Sequence, residues 1–132
     1  MQPVALRTGR FATFDPTEGT PVAITVGRPR FPLGYEIAAA VPDLAPSGSL
    51  FAVTDRDEFT ERYERRLDRT GVPQLRQQFE RIAREHGGPL VLLCFEDLAV
   101  TWCHRQVFAA WWTRQTGEPV PEVGPQQMRL DA

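Results

Sequence analysis

The stretch LVLLCFEDLAVTWCHR, residues 90–105, gathers most of the chain's reactive chemistry. Cys94 and Cys103 are the only two cysteines, and His104 is one of two histidines. Glu96 stands two residues after the first thiol, and Arg105 directly follows the imidazole. A thiol beside an imidazole and a guanidinium can lose its proton at neutral pH and act as a nucleophile or redox group. In an enzyme built on these residues, Cys103 or Cys94 attacks, His104 is the acid/base partner, and Glu96 orients or accepts a proton. Arg105 can hold the charge of a phosphate or carboxylate. Gly27 and Arg28 close a second β-rich run and are candidates for the same ligand.

Plainer roles compete with these. Cys94 can be a small buried hydrophobe. His104 can be a core histidine bonded to a backbone carbonyl, and Arg105 can clip itself to Glu96 or Asp97. A metal centre needs three or four converging ligands. Cys94, Cys103 and His104 could supply three and Glu96 a fourth. Neighbours such as Cys103 and His104 rarely reach one ion, however, and no C-x-x-C occurs, so the spacing argues against a metal and names no cofactor. A phosphatase-type loop needs an arginine six residues after its cysteine; position 100 is valine.

The elements that must position these groups can be read along the chain. PVAITV, residues 21–26, is β-branched and reads as a strand. Residues 27–49 hold four prolines and three glycines and read as a long loop, with one helical turn in EIAAAV. Residues 54–69 read as a helix with Phe59, Tyr63 and Leu67 as its apolar stripe. A second helix over 73–86 starts at Pro73 and stops at Gly87. PLVLLCF, residues 89–95, is continuously apolar, as in a strand covered on both faces. Thr101 is the expected cap of a last helix running to about 116. That cap puts Cys103 at the second helical position and His104 at the third. Val107, Phe108, Trp111 and Trp112 form the helix's apolar side. EPVPEV reads as a short edge strand, and residues 124–132 as a loose tail.

Strand, loop, two helices, strand, helix is the order of a small α/β fold. The expectation is one domain over 1–132, with a core over about 20–123. It has a two-layer or three-layer build, mainly parallel central strands and flanking helices. Ligands of such sheets gather at the C-terminal ends of strands. Residues 27–28 and 94–96 both mark such ends.

Composition limits the rest. The chain has 132 residues, 42% hydrophobic and 24% charged, which suits one globular domain. Net charge is −2, and all 15 basic residues are arginine. That balance excludes nucleic-acid binding by bulk positive charge. A local groove of Arg28, Arg30 and Arg105 with Phe31 and Tyr35 for stacking stays open. No apolar run approaches the ~20 residues of a membrane helix, so a cytoplasmic protein with free thiols is expected.

Beyond these readings, VLLCFEDLAVTWCHRQVFAAWWTRQTGEPVPEV resembles the end of the bacterial family called domain of unknown function 488. Its pattern is an apolar strand, C-[FYW]-E, a short loop, C-H-R, a helix ending near Trp and a final Gly-x-x-V-x-E. ITVGRPRFPLGY, then LAPS, then a helix with Phe59 and Tyr63 extend the resemblance over roughly residues 20–123. EIAAAVPD is longer than the usual link. The resemblance implies a compact α/β domain with Cys94, Glu96, Cys103, His104 and Arg105 at motif positions. It also draws in Gly27, Arg28 and the Leu44-Ala45-Pro46 turn.

The function expected is binding of a small anionic molecule, nucleotide-like or phosphorylated, with Cys/His-dependent chemistry as its enzymatic form. The rival is a non-catalytic binding or accessory module, for a protein or nucleic acid, in which the Cys/His/Arg cluster is structural. In that case Trp111 and Trp112 could mark a partner surface.

Overall fold

The computed structural model describes residues 3–124. Of the loose tail expected over residues 124–132, residues 125–132 lie outside them. Four strands, β1 (Leu6–Arg10), β2 (Thr20–Ala23), β3 (Ala39–Ala40) and β4 (Leu90–Cys94), form one sheet. The order is β1-β4-β2-β3, and every pairing is parallel. Leu90 to Cys94 are all buried, as the unbroken apolar run requires of a central strand. A single parallel bridge, Thr8 to Glu122, lays the expected 118–123 edge segment beside β1.

Three helices, α1 (Arg56–Thr70), α2 (Val72–His86) and α3 (His104–Thr116), cover one face. Phe59, Tyr63 and Leu67 of α1 pack with Leu75, Phe79 and Ile82 of α2 and with Val107, Phe108, Trp111 and Trp112 of α3. Leu6, Val22, Ile24, Leu90, Leu92 and Cys94 meet them from the sheet. Period-two alternation sends Ala23, Val91 and Leu93 to the other face. Loops cover that side, through Phe11, Phe14, Val123 and the half-buried Leu33, Tyr35 and Ile37. The fold is therefore a two-layer α/β sheet. Trp111 and Trp112 are 2% and 1% exposed, so they are core and no partner surface.

Local chemistry sets the ends of these elements. Asp55 caps α1 by accepting a bond from the Glu58 N–H at 2.8 Å. Gly71, at φ 85°, ends α1 and opens α2 without a linker. EIAAAV differs from expectation. Ala39 and Ala40 form β3 against β2, because Ala38 N–H and Val41 N–H bond the carbonyls of Pro21 and Ala23 at 3.0 Å each. The helical turns fall later, as 3-10 segments at Pro42–Leu44 and Gly48–Ala52. β2 is shorter than 21–26, although Ile24 N–H still bonds Leu93 O at 3.2 Å.

Gly19 opens β2 at φ 147°, and a Cβ there would stand 2.5 Å from the Pro89 carbonyl oxygen. That oxygen accepts the first bond of the β2–β4 ladder, from Thr20 N–H at 2.8 Å. Gly19→Ala therefore strains the backbone and pushes the two strands apart at once. We expect a loss of ~2–3 kcal/mol, read as a lower urea midpoint with an unchanged slope.

Candidate functional site

β2 and β4 are parallel neighbours, so their C-terminal ends lie side by side. Cys94 ends β4 with its side chain on the helix face. The loop after it turns around Asp97, whose backbone carbonyl accepts from the N–H groups of Val100 and Thr101 at 2.9 and 3.0 Å. That turn occupies Thr101 and delays the helix. Cys103, extended at φ −143° and ψ 152°, is the N-cap of α3 in place of the expected Thr101. Its N–H donates to Gln106 Oε1 at 3.1 Å, three residues on, a capping pattern that could have been read from the sequence. His104 and Arg105 thus become the first two helical residues, each two positions nearer the helix start than expected.

This placement brings both thiols and the imidazole together. Their donor atoms all lie within 4.8 Å of one another. Cys94 is 0% exposed, Cys103 1% and His104 5%. His104 Nε2 is 2.7 Å from the Ile24 carbonyl oxygen, so Nε2 carries a proton and donates to it. Nδ1 lies 3.7 Å from Cys103 Sγ, whereas Cys94 Sγ stands nearer Nε2, at 3.5 Å, than Nδ1, at 3.9 Å. Tyr63 stands edge-on to the imidazole, 5.8 Å between ring centres, and its hydroxyl donates to Leu44 O at 2.5 Å. Glu96, half-buried, reaches Cys103 Sγ with Oε2 at 3.7 Å.

The electrostatics separate the two thiols. A hydrogen bond from the Cys94 thiol, the neighbouring His104 and the Arg105 charge outweigh burial and hold Cys103 well below the usual thiol range. Burial, with the thiolate character of Cys103 beside it, pushes Cys94 far up. Burial also raises the Glu96 carboxyl, and the nearby Cys103 adds to it. The pair therefore holds one thiolate, on Cys103, and one thiol, on Cys94. The N-terminal end of the 13-residue α3 favours the same anion.

The same geometry bears on a metal. An ion about 2.0–2.1 Å from Nδ1 lies outside the ring on that nitrogen's side, and a thiolate sharing it is farther from Nε2 than from Nδ1. Cys94 Sγ does the reverse, at 3.5 Å from Nε2 and 3.9 Å from Nδ1. Nε2 is itself taken by Ile24 O. The three donors are close, but they do not converge on one ion.

Other expected residues fall elsewhere. Arg105 is 0% exposed and pairs with Glu122, not with Glu96, Asp97 or a ligand at the margin. Its Nε and Nη2 reach the carboxylate at 3.0 and 2.9 Å, and Nη1 is buried without a hydrogen-bond partner among the described residues. Sealed inside, Arg105 also cannot line a nucleic-acid groove. Gly27 and Arg28 are exposed. Arg28 lines a cavity of about 280 Å³ with Thr25, Ala45 and Ser47, on walls that include Ala23 and Pro42. Neither thiol lines that cavity. Its walls Ala23 and Thr25 nevertheless flank Ile24, whose carbonyl holds His104.

Two residues were missed. Arg10 ends β1 directly across from Cys94 in register and bridges to Asp97 at 3.5 Å. The alternation of LRTGR could have placed it on the helix face. Glu122 was visible only as a letter in the Gly-x-x-V-x-E ending, without a partner.

No curated protein and no solved structure matches the chain. A family model does match, over residues 33–112, described as domain of unknown function DUF488. That span contains Cys94, Glu96, Cys103, His104 and Arg105 but neither Arg28 nor Glu122. It covers more than half of the 132 residues, and the chain belongs to the DUF488 family.

Proposed function

We propose that the chain is a small-ligand protein with a thiol-dependent reaction centre, in which Cys103 is the nucleophile. The carrying observation is the seat of Cys103 Sγ, at a helix N-cap with Glu96 at 3.7 Å and His104 Nδ1 at 3.7 Å. In this reading Cys103 attacks as thiolate. The bond from His104 Nε2 to Ile24 O fixes the ring so that Nδ1 lies beside the attacking sulfur at 3.7 Å. Glu96 exchanges protons at the partly open side of the centre. Arg105 supplies fixed positive charge from below, held in place by Glu122.

The cavity edged by Arg28 is the proposed seat of a small anion, phosphorylated or nucleotide-like. Thr25 and Ser47 offer hydroxyls beside the guanidinium. An occupant there bears on the β2 end that holds His104. Two free thiols suit a reducing compartment, which supports a cytoplasmic location in this reading. No helix among the described residues is long and apolar enough to cross a membrane.

The test is alkylation of Cys103 by iodoacetamide across pH 5 to 8, followed by peptide mass spectrometry. An ordinary thiol reacts about tenfold faster per pH unit below its pKa of about 8.5. Cys103, with its proton already lost, should show a nearly flat rate. AMP at millimolar level should slow the reaction in the native chain and not in Arg28→Ala. A rate climbing steadily to pH 8 removes the nucleophile. Equal protection of both chains removes the anion seat.

A second reading, a non-catalytic docking module, is favoured by one observation. Val26, Phe31, Phe51, Phe95 and Val100 are between 41% and 81% exposed. Inert thiols in the alkylation test would favour it.

A further inference from the structure

We propose that Cys94 is the resolving partner of Cys103, and that the two form a dithiol centre which reduces a small hydroperoxide. The inference rests on Cys103 as the reactive thiol but not on the anionic ligand. Three observations carry it.

The first is placement. Cys94 is fully buried at the end of the central strand β4, in register with Arg10 of β1, while β2 pairs with β4 as far as Leu93. Cys103 sits across a loop of eight residues, of which Ala99, Val100 and Thr101 are exposed. One sulfur is held at the end of a central strand, and the other follows a partly exposed loop at the start of α3. Both face the same imidazole within 4.8 Å, and closing to bonding distance needs a shift of the loop, not of the sheet.

The second is access. Thiols 0% and 1% exposed exclude a bulky electrophile, whereas a small uncharged one needs only a brief opening beside Glu96. A hydroperoxide is such a molecule, and an anion entering this dry centre is not.

The third is the supply of protons. The Cys103 thiolate attacks the terminal peroxide oxygen. The sulfur–oxygen bond forms, the oxygen–oxygen bond breaks, and the leaving alkoxide or hydroxide takes the Glu96 carboxyl proton. Cys103 is then a sulfenic acid. Cys94 sulfur attacks that sulfur, the disulfide forms, and the departing hydroxide leaves as water with the Cys94 proton. Two electrons pass from the sulfurs to the peroxide, and a low-molecular-weight thiol restores the dithiol by exchange. The Glu96 carboxyl lies 3.7 Å from the attacking sulfur, and its burial keeps it protonated to higher pH than a free acid.

The test treats the whole protein with hydrogen peroxide and reads thiols and mass. The native chain should lose both thiols and become lighter by two hydrogens, reversibly with dithiothreitol. Cys94→Ser should stop at a sulfenic acid on residue 103, seen as the gain of one oxygen and trapped by dimedone once the chain is unfolded. Cys103→Ser should consume no peroxide. Cys94→Ala, read the same way, guards against a fold defect from a buried hydroxyl. A native chain that keeps Cys94 free while Cys103 oxidises overturns the resolving role, even where the alkylation profile is flat. Peroxide consumption by Cys103→Ser at the native rate overturns the whole centre. A steep alkylation profile would instead strike the reading beneath it.

Discussion

Replacing Glu122 with alanine lowers the stability of the protein by ~3–5 kcal/mol. The reason is the company that Glu122 keeps. Arg105 is fully buried, and the carboxylate accepts its Nε and Nη2 at 3.0 and 2.9 Å. The same carboxylate accepts the Thr8 hydroxyl at 2.7 Å, tying the edge segment to β1. Removing it leaves a guanidinium, whose Nη1 already lacks a bond, as an uncompensated charge under the sheet. Equilibrium unfolding in urea measures the loss, as a midpoint lower by roughly 2 M for a chain of this size. The double variant Glu122→Leu with Arg105→Met should recover most of it, because no charge is then left alone. A single variant within about 0.5 kcal/mol of the native chain would show that water reaches Arg105.

Trp112→Ala should cost a similar ~3–5 kcal/mol. Trp112 is 1% exposed and has Phe79 and Phe108 rings at 5.4 and 5.7 Å. The Arg76 guanidinium lies 5.2 Å over its ring, and its indole N–H donates to Glu118 at 3.3 Å. Glu118 binds Arg76 in turn at 2.9 Å. The alanine leaves a cavity between α2 and α3 and unseats that ion pair. A tryptophan on a partner surface would change stability by about 0.5 kcal/mol or less and affect binding alone. Urea unfolding of the isolated chain decides between these roles without a partner in hand.

The sequence was most informative where one periodicity ran undisturbed. The four-residue stripe of α1 and the unbroken apolar run of β4 gave element, face and burial together. Parallel strand ends brought Cys94, Glu96, Cys103 and His104 into one place, as the spacing implied. The failures share a physical cause, competition from a bond to a residue distant in sequence or from a turn. β3 is invisible to local pattern because its two residues owe their strand geometry to Pro21 and Ala23. The α3 cap moved to Cys103 because Asp97 captured the turn before it. The partner of Arg105 is hidden from local pattern because it lies 17 residues away on a bridge of one residue pair. Arg28 and the thiols both follow strand ends, but Arg28 lines a cavity that neither thiol reaches.

The position of β4 also governs how this chain can be made. It is the last strand in sequence, yet it stands between β1 and β2 and supplies the pairing edge of each. A nascent chain emerging from the ribosome carries β1 and β2 with open edges until Leu90–Cys94 follows them out. Both helices before β4 must then wait for the surface that they cover. Folding should accordingly be late and abrupt, set by the insertion of one short apolar segment.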